Sequence, residues 1–364
     1  MPETGARPNV PRLQRGVLRA IEALTTPLLP SDYLELLNPL WSTRELRGKI
    51  VAIEPETEDA ATVRIKPGYR WEGHLPGQYL RIGVDIQGRR HWRAYSLTSE
   101  PGRKDGTISI TVKNVDEGVV SPYLVRHGRV GTIVSLGGVE GDFVLPEQLP
   151  EKLLFISAGS GITPIMSMLR SLADAPQEHD VVLLHSARHT DDVIFGAELR
   201  AMAERRARFR LHEQHTRDHG RMAPEHLDEL CPDWREREAF VSGPGPLLDA
   251  LEEHWERHGE IERFHLERFQ PKLMEVAEGE GGIVVFLKSD CEVEGDGSKP
   301  ILVLGEEAGL ELPYGCREGI CHTCVGTLRS GQLRDLRNGK LCGNEGETVR
   351  TCINAPEGRV EIEL

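Results

Sequence analysis

The stretch "ELPYGCREGICHTCVGTLRSG", Glu311 to Gly331, constrains this chain more than any other. It sets Cys316, Cys321 and Cys324 five and then three positions apart among glycines, and Cys352 follows downstream. A loop of that make-up closes a disulfide, holds zinc, or holds a group that carries electrons. Seven cysteines is an odd count, and a chain of 364 residues has core enough to need no covalent staples. No apolar run approaches the roughly 20 residues of a membrane span, and no charged-then-apolar leader opens the chain, so the expected compartment is cytoplasmic. There, clustered thiols do metal or redox chemistry. The net charge of −14 argues against nucleic acid as the main partner.

Cys316-x4-Cys321-x2-Cys324 with a distant fourth cysteine is an iron–sulfur ligation spacing. Three thiolates from one loop must reach two irons, and Gly315, Gly319 and Gly326 let the backbone approach and turn N–H groups toward sulfur. Zinc is the alternative. Structural zinc sites repeat a tight Cys-x2-Cys pair, and only Cys321 and Cys324 form one. His322 lies inside the loop, but four spaced thiols leave it unnecessary. Cys231, Cys291 and Cys342 lack such partners and are expected to be structural or incidental. The expected metal ligands are Cys316, Cys321, Cys324 and Cys352, around a 2Fe–2S cluster. The flanking "LPYGCREGICHTCVGTLRSG" and "VRTCINAPEGRVEIEL" resemble plant-type ferredoxins over about 282–364.

Upstream, the chain divides by pattern into a multidomain protein. Residues 1–43 interleave Arg7, Arg12, Arg15 and Arg19 with Leu13, Val17, Leu18, Ile21 and Leu24, an amphipathic helical spacing. Such an extension packs on a neighbouring domain or touches a membrane surface peripherally. Over 44–148, short strand-like runs such as "ATVRIKPG" and "GQYLRIGVDI" broken by Gly and Pro predict an antiparallel β-barrel. Over 149–270, "LLFISAG", "PIMSMLRSLAD", "VVLLHSA", "AELRAMAERRA" and a last strand, "EAFVSG", alternate strand with helix and predict an α/β parallel sheet. A linker over 271–281 leads to a compact α+β domain, β-grasp-like, at 282–364.

In the barrel, "HWRAYSLTS" brings Arg93, Tyr95 and Ser96 within four residues: a cation for a phosphate, an aromatic face, and a hydroxyl. Alternate strand residues share a face, so Arg93 and Tyr95 point the same way. A strand whose arginine and tyrosine merely pair would look the same. The surrounding order of "PGQ", then R-x-Y-S, then Gly118 to Ser121 resembles the ferredoxin–NADP reductase superfamily. The resemblance implies FAD, with FMN the alternative, held by Arg93, Tyr95, Ser96, Gly118 and Ser121, and Ser96 beside the reactive flavin nitrogen.

"ISAGSGITPIMSML" reads as a strand, a glycine turn and a helix opening at Pro164, where free N–H groups suit a phosphate. Gly159 and Gly161 begin G-x-G-x-x-G, but Pro164 replaces the third glycine, and the pattern alone is weak. "GSGITP" in this place resembles the nicotinamide-binding turn of the same superfamily. That resemblance implies Thr163 near the reacting ring, with Gly243 and Pro244 of "FVSGPG" bordering it. Ser186 and Arg188 after the second strand, with Arg217 later, point to NADPH, and NADH is the alternative.

Flavin, nicotinamide and ferredoxin segments in that order imply a self-contained oxidoreductase of the ferredoxin reductase type, passing electrons from NAD(P)H through flavin and cluster to an oxygenase or a fatty-acyl desaturase. The arrangement, with its basic leader, resembles actinobacterial reductases that serve membrane desaturases. A cluster-bearing sensor without turnover is the rival. Phe269, near the end of "FHLERF", is a candidate shield for the flavin. The acidic run Glu292, Glu294, Asp296, Glu306, Glu307 and Glu311 suits a basic docking partner.

Overall fold

A computed structural model describes residues 35–115, 118–175, 177–269, 281–310, 312–314, 319 and 322–364. The N-terminal helix expected over 1–43 falls mostly outside them, as do most of the linker, Glu311, Cys316 and Cys321.

The first unit is a six-stranded antiparallel sheet in the order β4-β3-β6-β1-β2-β5, from β1 (Arg47–Thr57), β2 (Ala60–Pro67), β3 (Tyr79–Ile86), β4 (Arg89–Ser96), β5 (Ile108–Lys113) and β6 (Ile133–Glu140). Period-two burial explains it: Leu80, Ile82 and Val84 of β3 are buried with Val63 and Ile65 of β2. The ends of the sheet meet at a bridge between Leu97 and Ile110, and the Thr98 N–H donates to the Ser109 carbonyl at 2.8 Å. The sheet therefore curls into the expected barrel.

The second unit is a parallel sheet ordered β11-β10-β7-β8-β9, from β7 (Lys152–Ala158), β8 (Asp180–Ala187), β9 (Phe209–His215), β10 (Glu238–Ser242) and β11 (Phe264–Glu267). Helices α1 (Ile162–Ala173), α2 (Gly196–Arg205) and α3 (Gly245–His258) connect and cover it. The run "LLFIS" of β7 is buried throughout, as a central strand covered on both faces requires. Two strands escaped the sequence reading. "FRLHEQH" has too few apolar residues to stand out as β9. "FHLE" is a four-residue edge strand, so "EAFVSG" is not the last strand of this sheet. Helix α1 opens at Ile162, two residues before Pro164, and the proline still sits in the first turn, where its missing N–H costs no bond.

The third unit is a mixed sheet ordered β13-β12-β17-β14-β15, with β16 pairing β14. Its strands are β12 (Gly282–Phe286), β13 (Cys291–Gly295), β14 (Val325–Asp335), β15 (Leu341–Cys342), β16 (Thr348–Arg350) and β17 (Asn354–Glu363), with helix α4 (Ile301–Glu307) against them. The parallel pairing of β12 with β17, flanked by antiparallel pairs, is the expected α+β arrangement. Among the described residues no helix is long and apolar enough to cross a membrane.

Candidate functional site

Strand register decides which side chains of β4 can meet a ligand. Arg93 and Tyr95 lie opposite Ile82 and Leu80, so both face the side of the sheet on which the core packs. Ser96, opposite Tyr79, closes the strand and is buried. The Arg93 guanidinium donates to the Trp92 carbonyl at 2.8 Å and, among the described residues, forms no ion pair with a carboxylate. A half-buried cation so placed suits a phosphate. Tyr95 packs against the barrel core, and burial pushes its hydroxyl well above the usual phenol range.

The second half of this cradle is the turn into a single helical turn at Val120–Pro122, which contacts β4. The Gly118 N–H donates to the Val115 carbonyl at 2.8 Å, and the Ser121 hydroxyl accepts the Val115 N–H at 3.2 Å. The turn thus spends the Gly118 N–H on itself, leaving the Ser121 hydroxyl proton available. A Cβ at Gly118 would lie 2.9 Å from Ser121 Oγ and 3.0 Å from the Val115 carbonyl oxygen, which explains the glycine.

The barrel and the parallel sheet are clasped at the end of β4. Ser167 of α1 donates to the Ser99 carbonyl at 2.7 Å, and Arg170 to the Thr98 carbonyl at 2.6 Å. Arg170 also pairs with Glu198 and lies 5.0 Å over the Phe195 ring. The helix that leaves the glycine turn is therefore tied just beyond Ser96.

The turn itself sits at a topological switch point. From β7 the chain goes outward to β8 on one side, and β10 lies on the other, which opens a crevice at the carboxyl ends of the strands. Gly159 has φ +56° with open space where a Cβ would project. Gly161 is the reverse case: a Cβ there would lie 2.1 Å from the Ser242 carbonyl oxygen and 2.8 Å from the Gly243 nitrogen. The structure thus packs "GSG" directly on Gly243, with Pro244 next in the chain. Thr163 is buried, its hydroxyl donating to the Ser160 carbonyl at 2.9 Å.

Ser186 is buried at the end of β8, and Arg188 follows it. Arg188 is 57% exposed and pairs with Asp59 of the barrel at 3.2 Å. Arg217 comes from the segment after β9, and its N–H donates to the Arg188 carbonyl at 3.3 Å. The two arginines, 29 positions apart, are neighbours in space. Arg217 is exposed and, among the described residues, forms no ion pair.

In the third unit, Cys324 and Cys352 are buried. Thr351 binds the Cys324 carbonyl through both its N–H (2.9 Å) and its hydroxyl (2.8 Å), stitching the two cysteine segments together. The Gly319 N–H donates to Cys352 Sγ at 3.2 Å, from a backbone with φ +74°. An N–H aimed at a thiol sulfur is what an iron–sulfur loop requires. The other cysteines are occupied differently: Cys342 Sγ lies 3.6 Å from Asn354 Oδ1, and Cys231 Sγ lies 3.5 Å from Asp233 Oδ1. The residues present fit all three groups.

Two features were not read from the sequence. His185 is fully buried, bonded to Ser157 at 2.8 Å, and burial holds it neutral with a pKa near 4. Glu267 ends β11 beside Ser242, and burial, with the Asp142 charge nearby, pushes its carboxyl up to about 7. A four-residue edge strand offers no periodicity to reveal it. The folded protein holds the Glu267 proton more tightly than the unfolded chain, so its contribution is fully present below about pH 4.5 and is lost as pH rises through about 7. Glu267→Gln should therefore leave the melting temperature near wild type at pH 5 and raise it above wild type at pH 8. A difference that does not change with pH would refute this.

A half-buried arginine on a barrel strand, a crevice at a switch point and two buried cysteines beside a glycine N–H together fit a class: reductases that take hydride from a nicotinamide and release electrons through flavin and cluster. Comparison with known proteins agrees over the same segments. The Oxidoreductase FAD-binding domain family matches residues 48–145, the Oxidoreductase NAD-binding domain family 155–253, and the 2Fe-2S iron-sulfur cluster binding domain family 285–357. An NADPH oxidoreductase of Mycobacterium tuberculosis is 46% identical over 95% of this chain and 92% of its own length. The glycine betaine monooxygenase reductase subunit of Pseudomonas aeruginosa is 30% identical over 79% and 86%. The solved phthalate dioxygenase reductase superposes with a TM-score of 0.58 at 20% identity, covering 88% of this chain and 98% of its own. The chain belongs to the family of NAD(P)H-dependent reductases that carry FAD and a 2Fe–2S cluster.

Proposed function

We propose that this reductase draws on NADPH in preference to NADH and delivers single electrons to the iron centre of an oxygenase. The backbone hydrogen bond from the Arg217 N–H to the Arg188 carbonyl supports the NADPH reading, because it sets the two residues side by side beyond the carboxyl ends of β8 and β9. The names of the similar proteins support both parts: one is an NADPH oxidoreductase and another serves a monooxygenase.

FAD and the cluster, when bound, supply the conversion of a hydride into single electrons. The chain's residues bind and orient. Arg93 and the Gly118–Ser121 turn take the flavin phosphates, Tyr95 gives an aromatic face, and Ser96 gives a hydroxyl beside the reactive ring nitrogen. Gly159 lets the nucleotide approach the backbone and Gly161 lets the turn pack on β10, while Thr163, Gly243 and Pro244 border the nicotinamide. Ser186, Arg188 and Arg217 hold the adenosine end. Cys316, Cys321, Cys324 and Cys352 ligate the irons. Half-buried Phe269 covers the flavin. We assign the protein to the cytoplasm, where its thiols stay reduced.

The acidic face of the third unit is partly neutralised: Glu292 pairs with Arg359 and Glu307 with Lys299. Glu294 is exposed beside them, so the docking field is modest and steers more than it binds. Anaerobic titration with NADPH and then NADH, followed by visible and EPR spectra, tests the proposal. NADPH is expected to bleach the flavin and develop the reduced-cluster signal at the lower concentration. Equal potency of NADH would refute the nucleotide preference, and reconstitution with a membrane desaturase but with no soluble oxygenase would refute the acceptor.

A further inference from the structure

We infer that Trp92 is the positioning residue that seats the cluster loop on the flavin strand. This rests on reading Arg93–Ser96 as the flavin strand. In β4, Arg93 and Tyr95 lie opposite the core residues Ile82 and Leu80, whereas Trp92 lies opposite Gly83 on the outer face. One strand therefore carries Arg93 and Tyr95 on one side and an indole on the other.

Two glycines make room on that outer face. A Cβ at Gly83 would lie 3.0 Å from the Trp92 ring, so glycine is what lets the indole rest on β3. A Cβ at Gly137 of β6 would lie 2.9 Å from Arg81 Cβ. Trp92, Arg81 and Gly137 then form one wall of a cleft of about 240 Å³, and His322 and Thr323 form the other. These two residues stand between Cys321 and Cys324 in the chain. His322 is exposed and adopts φ +52°, a left-handed conformation that L side chains rarely take.

The consequence is a fixed approach of the cluster to the strand that holds the flavin. For each hydride taken in, two electrons and one proton leave the flavin side. The electrons cross singly, each reducing one ferric iron to ferrous, and the proton goes to solvent. A one-electron acceptor empties the cluster between the two crossings. Trp92 contributes no electron or proton; it holds the distance.

The test uses the full-length holoprotein with Trp92→Ala, Trp92→Phe and Gly83→Ala, the last displacing the indole while keeping it. Ferricyanide accepts electrons at the flavin, and cytochrome c reports those that have passed the cluster. Trp92→Ala should lower NADPH-dependent cytochrome c reduction about tenfold, the scale of a small misplacement of reacting groups, with ferricyanide reduction unchanged. Amide hydrogen exchange over 322–330 should quicken in the same variant, and Trp92→Phe should restore both readouts. Gly83→Ala should reproduce the split, and it decides the matter if Trp92→Ala does not fold. Unchanged exchange and unchanged cytochrome c reduction would overturn the inference. A parallel fall in ferricyanide reduction would also overturn it, by placing the effect at the flavin. A wild-type protein that reduces no ferricyanide with NADPH would instead refute the flavin reading beneath it.

Discussion

Cys324→Ser is expected to abolish the cluster and, with it, all electron flow beyond the flavin. Serine keeps the shape but replaces a soft thiolate with a hard, weakly acidic oxygen, which iron–sulfur clusters do not accept in its place without loss. The site gives no room to compensate. Cys324 is 1% exposed, its carbonyl is bound twice by Thr351, and Cys352 receives the Gly319 N–H. The Arg350 guanidinium also holds the Gly319 carbonyl at 2.8 Å, so the loop cannot swing another donor in. The visible spectrum should reduce to that of the flavin, the low-temperature EPR signal should vanish, and NADPH-driven cytochrome c reduction should fall to background. Ferricyanide reduction should persist, because hydride uptake lies in the other two units. Cys342→Ser is the control: its thiol neighbours Asn354, and its loss should leave the cluster signal intact. A cluster retained in Cys324→Ser, or lost in Cys342→Ser, would reject the ligand set.

Gly161→Ala should be the most damaging conservative change in the nucleotide unit. The added Cβ meets backbone on the end of β10, at 2.1 Å from the Ser242 oxygen and 2.5 Å from its carbonyl carbon, and backbone in a sheet cannot turn aside as a side chain can. Relief requires parting the glycine turn from β10, which is paired with β7 through Ser242 and Ser157. Overpacking of this kind costs about 2–3 kcal/mol. For a unit of this size that corresponds to roughly 5–10 °C in melting temperature. The parted strands also carry Gly243 away from the turn, so KM for NADPH should rise together with the loss of stability. Gly159→Ala separates the two causes. Its φ of +56° costs about 1 kcal/mol in strain, and nothing lies within contact of the new methyl group. Gly159→Ala melting lower than Gly161→Ala would contradict the packing argument.

Both experiments act on glycines or cysteines that were visible as motifs, and the reason is chemical. A thiol spacing, a run such as R-x-Y-S and a turn such as "GSGITP" are local: the atoms that do the work are separated by a few bonds, so the chain alone brings them close. The buried strand "LLFIS" and the alternating "YLRIGVDI" were legible because burial on both faces gives an unbroken apolar run and burial on one face gives alternation. The four-residue strand "FHLE" and the polar strand "FRLHEQH" were not, because an edge or half-covered strand needs few apolar residues and leaves no period to read. With β11 hidden, Glu267 and its raised pKa were hidden too. Helix α1 was read from Pro164, whereas the turn was already helical at Ile162.

The sequence by itself determined the class of the protein, the thiol ligands expected of it and the three chemistries in their order, because each rests on residues adjacent in the chain. Only the tertiary structure decided how those chemistries meet. The sheet order set Gly161 against Ser242, 81 positions away, and the helical turn after β9 brought the Arg217 backbone to that of Arg188. The hydrogen bonds from Ser167 and Arg170 to Ser99 and Thr98 tied the nucleotide helix beyond the flavin strand. The opposite faces of β4 separated Arg93 from Trp92 and gave each its own neighbour. Strand pairing and strand face depend on what packs alongside, which no local run of residues records.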